Sequence, residues 1–522
     1  MNEMVKTLVF AATALVMLGA AYVGTRDRAR LAGSFDDQGQ PFFPDFKDPL
    51  QCTDLEVVSF DSGIATASRF QVKFQDGKWV IPSHYNYPAD AKDRLTKTAA
   101  AVMDLTKDTV RSELADDQES MGVIDPLDAK VASLSGRGKR ITLRDSTEKV
   151  LADFIIGNDV RGSERKEGGT PQRYVRVPGQ KRIYGVNVKA DLTTRFADWI
   201  ETNLLKVEAS KIRKIVFDNY KIQEDRDARG AFLRLARGEK LTIERKDGTS
   251  PWTMAGLSAD QELNEEKLRA LNDALADLKI VGVRPRPPGL KDPNQPGLKL
   301  SALVLGSLQN KGFFLTAQGL FSDQGDVIVT TEEGVVYTLR YGGAVYGTGD
   351  ELTAGTPDDA ETKDKPKDAA KDKTKSTEAA QESRYLLVTV AFDPSVIAKP
   401  ESLEPKPFTP PTGPIEIPAS PFAPDPKDPK TIAAEKAAKE KTDREKADYD
   451  KKIADGEKRV KELANRFGPW YFVTPGESFR AINLDRAILT QPKKPPGAPG
   501  ATAPGGGMQG FPMPGGGGMP PP

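Results

Sequence analysis

DGKWVIPSHYNYPADAKDRLTKTAAAVMDLTKDTVR, residues 76–111, decides how this chain is divided, because residues 247–284 repeat it. Trp252 lies 173 positions after Trp79, and the same spacing carries Leu95 to Leu268, Ala101 to Ala274, Asp104 to Asp277, Leu105 to Leu278, Val110 to Val283 and Arg111 to Arg284 without a gap. A self-match of so long a period marks a duplicated module. In the first copy Arg69–Phe74 alternates apolar and polar residues, Asp76-Gly77 is a hairpin turn, and Lys78–Ile81 returns as a strand carrying Trp79. Pro82 and Pro88 then stop the strand and open a helix with its apolar face at Leu95, Thr98, Val102 and Leu105. The second copy presents Leu268, Leu271, Leu275 and Leu278, with an N-cap offered by Ser258 and Gln261 or by Asn264 ahead of Glu265 and Glu266. Stripe and tryptophan read as a helix packed on a sheet.

Outward from this block, Arg140–Leu143, Val150–Ile156, Tyr174–Val177 and Ile183–Val188 are strand candidates, and Arg195–Leu205 reads as a helix presenting Phe196, Trp199, Ile200 and Leu204 on one face. The first module then spans residues 55–207. The second, residues 208–490, starts with Ile212–Phe217 and continues through Leu300–Leu305, Gly312–Thr316, Val327–Thr330, Val335–Arg340 and Arg384–Val390. Arg384-Tyr385 is the expected counterpart of Arg173-Tyr174, and Trp470–Val473 that of Ile183–Val188. Within the second module, residues 349–383 are Lys, Asp, Ala and Thr with almost nothing to bury, so they are expected to be disordered. A Pro-rich arm at 398–430 precedes an Ala/Lys/Glu-rich helix at 431–467, whose stripe of Tyr449, Ile453, Val460, Leu463 and Phe467 is interrupted by Gly456. A docked helix is preferred there to a coiled-coil partner site. Residues 491–522 form a disordered Gly/Pro/Met tail. The expected fold class is α+β: two tandem modules of mixed or antiparallel sheet with packed helices, plus a transmembrane helix, disordered insertions and a tail.

Leu8–Gly24 is a charge-free apolar run of about 26 Å as a helix, at the short end of what spans a bilayer. It reads as a signal anchor (residues 1–30), with Tyr22 at the interface, in preference to a cleaved signal peptide ending near Gly19-Ala20-Ala21. Arg26, Arg28 and Arg30 after the run, against Lys6 before it, oppose an outward orientation by the positive-inside rule. Residues 31–54 follow as a stalk. The expected location is the cell membrane, single-pass, with the bulk extracytoplasmic.

Chemistry is scarce. Lys plus Arg equals Asp plus Glu at 75 each, so no net field favours nucleic acid. One cysteine, Cys52, excludes an intramolecular disulfide and a Cys cluster, leaving palmitoylation or an intermolecular bridge as the alternatives to an inert residue. One histidine, His84, excludes zinc sites needing two or three. Ser83-His84 has no acid at a diagnostic spacing. Ser135-Gly-Arg-Gly-Lys-Arg140 lacks the phosphate-loop spacing and runs into a strand, and Asp225, Asp227 and Gly230 lack the closing Glu of a calcium loop. The sequence therefore names no catalytic, cofactor-binding or metal-ligating residue and no cofactor, and the protein is read as non-enzymatic.

The first module resembles the bacterial family known as domain of unknown function 4340. The likeness rests on DGKWVIP, AVMDL, VRSE, FIIGND, QRYVRVPGQKRIYGV and RFADWIETNLL, covering about Val57 to Val207, with PWTM, ALADL and VRPR matching more loosely in the second copy. RFGPWYFVTPGESFRAI is similar to the ending of large planctomycete-type members. The resemblance implies one N-terminal membrane segment, a body outside the cytoplasm, and company with ABC-type transport proteins like those of gliding-motility systems; it implies no activity. The expectation is a scaffold or accessory subunit of a membrane transport or envelope complex, held by the membrane and a membrane-protein partner. An envelope polysaccharide-binding module is the alternative, and a hydrolase using His84 or a carboxylate pair a third.

Overall fold

Asp76 and Gly77 take φ of 52° and 76°, the paired positive values of a two-residue turn whose twist matches its flanking strands. In the computed structural model this turn starts a sheet that the chain then builds twice. Described are residues 37–493 apart from 64, 164–170, 228–229, 288, 291, 348, 356–381 and 401–428, together with Ala14 and Met17. The first module runs β1 (Asp54–Asp61), β2 (Thr66–Gln75), β3 (Lys78–Ile81), β4 (Tyr87–Pro88), α1 (Lys92–Met103), β5 (Thr109–Ser112), α2 (Asp117–Ser120), β6 (Lys139–Arg144), β7 (Val150–Asp159), β8 (Arg173–Arg176) and β9 (Ile183–Val186). Its nine strands are ordered β4-β3-β2-β1-β6-β7-β8-β9-β5, every neighbour antiparallel. Helix α1 carries the chain across the sheet from β4 at one edge to β5 at the other, burying Leu95, Thr98, Ala99 and Val102 on the way.

The second module runs β10 (Ile212–Asp227), β11 (Gly230–Glu244), β12 (Thr253–Met254), β13 (Gln261–Leu263), α3 (Glu265–Ala276), β14 (Gly282–Pro285), α4 (Ala302–Asn310), β15 (Phe313–Thr316), β16 (Gly319–Ser322), β17 (Asp326–Thr331), β18 (Val335–Val345), α5 (Gly349–Thr353), β19 (Ser383–Phe392), α6 (Pro429–Phe467), β20 (Trp470–Pro475), α7 (Gly476–Ile482), α8 (Arg486–Leu489) and β21 (Thr490–Pro492). Its main sheet, β12-β11-β10-β17-β18-β19-β20-β14, repeats the order of the first strand for strand from β3 to β5, again antiparallel throughout. Helices α1 and α3, and strands β5 and β14, hold to the 173-residue spacing at both ends. Arg384-Tyr385 lies in β19, which has the rank of β8, and Trp470–Val473 lies in β20, which has the rank of β9. Asn264, not Ser258, caps α3 by accepting from the Lys267 amide.

Each sheet buries one face in a single hydrophobic core that runs through both modules. The opposite face of the first sheet is covered by Met121 and Val123, over Ile155, Tyr174 and Ile183. That of the second is covered by Leu308, Phe313 and Leu320, over Tyr385, Leu387, Tyr471 and Val473. The modules are joined by residues 196–207. Trp199 is fully buried, its carbonyl accepts from the Asp90 amide ahead of α1, and Leu204 donates to Leu278 O while Ile280 donates to Thr202 O after α3.

Several expectations are corrected. Arg195–Leu205 is no helix: after one 3-10 turn at Phe196–Trp199 the backbone extends, because its hydrogen bonds go to both modules rather than along itself. Leu300–Leu305 is not a strand but leads into α4, capped by Ser301, with Val304 and Leu308 facing the sheet. Pro88 lies in β4, and the helix opens only at Lys92. Residues 37–54 are no stalk: Phe42, Phe46 and Cys52 are in the core, and Asp37 pairs with Lys107 and Arg182. Gly349–Thr353 of the first insertion is helical, with Ala354 buried behind it, and Gln491 and Pro492 of the tail pair with β13. The rest of that insertion up to 381, the Pro-rich arm from 401 to 428, the tail from 494, and Leu8–Gly24 apart from Ala14 and Met17 lie outside the described residues. Among the described residues no helix is long and apolar enough to cross a membrane.

Gly456 does not interrupt the stripe of α6; it is where the helix comes closest. A Cβ there would strike the Phe392 ring and lie 2.7 Å from Glu333 O. Gly→Ala inside an exposed helix stabilises by about 1 kcal/mol. Here the sign reverses: Gly456→Ala is expected to cost about 1–3 kcal/mol in urea denaturation, and a gain in stability would mean that α6 is not held at this point. In the second sheet Arg340 forms a bidentate pair with Asp326 (2.8 and 2.6 Å), which also accepts from Tyr220 OH at 2.7 Å, all three residues buried. Arg340→Met leaves that carboxylate buried without its cation and is expected to cost about 3–5 kcal/mol, read from the same denaturation midpoint. Cys52 is 5% exposed and its thiol, pushed up to about 12 by burial, faces Asp54 O. Iodoacetamide at neutral pH should label it only after denaturation; rapid labelling of the folded chain would contradict this placement.

Candidate functional site

Ser83 and His84 close β3 in a one-turn 3-10 helix, and His84 is 1% exposed. Its Nδ1 lies 3.0 Å from Ser83 Oγ and its Nε2 2.9 Å from Thr353 Oγ1 of the second module, while the ring stacks on Phe196 at 4.3 Å. Tyr85, in the left-handed region, donates to Ala354 O at 2.9 Å. Hydroxyls meet both ring nitrogens, and His84 and Tyr85 link one module to the other, His84 buried and Tyr85 at the surface.

The two guanidinium groups of the basic turn at Ser135–Arg140 are occupied from within. Arg137 donates to the carbonyls of Ser133, Asp125, Asp128 and Val131, and Arg140 is held by Asp153 and Asp125. Asp225 and Asp227 lie along β10, where Asp225 pairs with Arg234 at 3.2 Å. Among the described residues no group of three His, Cys, Asp or Glu side chains is placed to hold a metal ion.

Two open clefts adjoin in the second module. One, of about 1290 Å³, lies between α6 and the ends of β10 and β11. It is walled by Arg213, Lys214, Arg245, Lys246, Lys452 and Arg459 against Glu244, Glu332, Glu333, Asp393 and Asp455, a mixed set in which Arg213 pairs with Glu332. So balanced a wall favours neither anions nor cations. The other, of about 1140 Å³, lies between β12, β13 and α3, and shares Arg245, Pro251 and Thr253 with the first. Its apolar wall is Trp252, Met254, Leu257, Leu263 and Leu268. Arg245 stacks over Trp252 at 4.6 Å and donates to the carbonyls of Ala209, Ile212 and Gly248. Burial, then the charge of Arg213, lowers its pKa from the usual arginine value. A third, smaller cleft sits beside Lys139, Arg173 and Asp191, and Trp252 is the one aromatic residue lining any of the three.

The second cleft exists because the copies differ there. In the first module β4 pairs with the outer edge of β3, Ile81 opposite Tyr87 and Val80 opposite Pro88. At the 173-residue spacing these partners become Met254 with Asp260 and Thr253 with Gln261, yet β13 leaves β12 and pairs with β21 instead. Among the described residues no strand covers the outer edge of β12. Behind the cleft wall Asn272, 7% exposed, donates to Leu268 O at 2.9 Å, while its Oδ1 has no hydrogen-bond partner among the described residues. The equivalent residue in the first module is Ala99. Sequence reading passed over Asn272, although an amide standing in an otherwise leucine-lined face was the available signal.

No curated protein matches the chain, and no solved structure does. The model of the family described as Domain of unknown function (DUF4340) matches residues 79–299, from Trp79 of β3 through both copies of the tryptophan–helix–strand block. The chain is therefore similar to the DUF4340 family over residues 79–299, from β3 of the first module to shortly after β14 of the second.

Proposed function

We propose that this protein is a non-enzymatic, membrane-anchored scaffold or accessory subunit of an envelope or membrane-transport complex, with its body outside the cytoplasm. The observation that carries the reading is α6. At 39 residues it is about 58 Å long, and it is buried only from Gly456 onward, through Leu463 and Phe467. The preceding turns are charged on nearly every side, and such a helix bridges to something beyond its own domain or stands in water. The rigid two-module body supplies the base of the arm, and the apolar run Leu8–Gly24 supplies the anchor. The burial of His84 in the seam, away from every cleft described, supports a binding role over hydrolysis.

A photo-reactive amino acid placed at Ile432 or Lys439 of the full chain, in membranes of the native host, should cross-link to a membrane protein. One placed at Lys78, the first residue of β3, should not. Equal yields from the two positions, or no protein adduct from α6, would remove the scaffold reading. Protease protection of residues 401–428 in intact spheroplasts would overturn the placement outside the cytoplasm.

A further inference from the structure

We propose that the cleft at the open edge of β12 binds the chain's own C-terminal tail, through the segment Met508-Gln-Gly-Phe511-Pro-Met513. The first module shows what the place is shaped for. There an extended segment, β4, lies along the edge of β3 ahead of α1. In the second module the corresponding segment has been drawn away by β21, and the vacated edge, flanked by Trp252 and Leu257, is a cleft of about 1140 Å³. An extended backbone with apolar side chains on alternate positions replaces what is missing, by adding a strand to an open edge. Asn272 is independent of this comparison. Its buried, unpartnered Oδ1 lies behind the same wall and is an acceptor for a backbone amide where the first module needs none.

The occupant follows from where the described chain ends. Lys493 itself lines the cleft, its amide bonded to Asp260 O at 2.8 Å, and 29 residues follow it. After Lys494 they carry no charge, and Met508, Phe511, Met513 and Met519 are their only large apolar side chains. Met508 stands 15 residues beyond Lys493, a Gly/Pro/Ala spacer with a root-mean-square span of about 20 Å for a Gly-rich chain, so it reaches back to the cleft without being stretched. Tethering at that length gives an effective concentration of about millimolar, so weak contacts suffice. Gln509, Gly510, Phe511 and Met513 retain amides to donate, and a residue that precedes a proline, as Phe511 and Met513 do, favours the extended region a strand requires.

Hydrogen–deuterium exchange of the full chain tests this. Amides of Phe511, Met513 and residues 253–255 should exchange at least tenfold faster in the full-length variant Met508→Ser/Phe511→Ser/Met513→Ser than in the wild type, and Asn272→Ala should reproduce the effect at the tail. The triple substitution leaves the folded body untouched, so loss of folding cannot mimic the result. Identical exchange in wild type and triple variant would overturn the proposal. So would wild-type protection that falls on hundredfold dilution, since the tail of a second copy would then be the occupant.

Discussion

The structure depends on the short segment from Phe196 to Val207, which carries no regular secondary structure beyond one turn yet touches both helices. Trp199 fills the core beside α1, and Leu204 and Leu205 fill it beside α3. Between them the backbone bonds Asp90 on one side and Leu278 and Ile280 on the other. A tryptophan at such a site contributes about 3–5 kcal/mol relative to alanine. The consequence is one core where two would have been expected of a duplicated chain. The contacts of His84 with Thr353 and of Tyr87 with Trp470 (ring centroids 5.1 Å apart) lie along the same seam and are secondary to it.

Duplication has preserved backbone order more strictly than chemistry. Between β6 and β7 the cation is on the first strand, Arg140, and the carboxylate on the second, Asp153. Between β17 and β18 the carboxylate, Asp326, comes first and the cation, Arg340, second. The registers differ as well: Asp326 stands directly opposite Arg340, whereas Arg140 stands opposite Ile155 and reaches Asp153 diagonally. The depths differ too: Arg340 and Asp326 have side chains 5% and 7% exposed, against 25% and 22% for Arg140 and Asp153. The two modules therefore bury such a pair to different depths and at different register positions.

What the sequence disclosed followed from period. A three-to-four stripe locates α1 and α3, and the 173-residue offset read from the sequence carries on through β5 and β14, because burial against a sheet enforces both spacing and polarity. What it concealed were choices made by distant partners. Phe196, Trp199, Ile200 and Leu204 fit one face of a helix, but all four are buried along one 3-10 turn and the extended path after it, because two modules compete for that backbone. Gly456 looks like a gap in a stripe until Phe392 is known to lie opposite. Phe42 and Phe46 look like linker residues because the groove that receives them, beside Leu105 and Tyr184, is assembled from elements far along the chain. The candidate site was hidden for the same reason, since a vacant strand edge has no local signature.

That vacancy bears on where function is to be sought. Where the copies agree, their residues are occupied in holding sheets, helices and seam together, and little is left exposed to act on anything else. At three places where they disagree the second copy is longer or more open. The β10–β11 hairpin runs 16 and 15 residues against 8 and 10 in β1 and β2, α6 intervenes between β19 and β20, and β13 abandons the edge that β4 covers. Each departure exposes backbone or charged surface that a minimal module would not carry, at a cost in solvation and chain entropy that the shared core offsets. A duplicated scaffold gains this freedom from its unmodified copy: the first module keeps the fold stable while the second accommodates features that stability alone does not require.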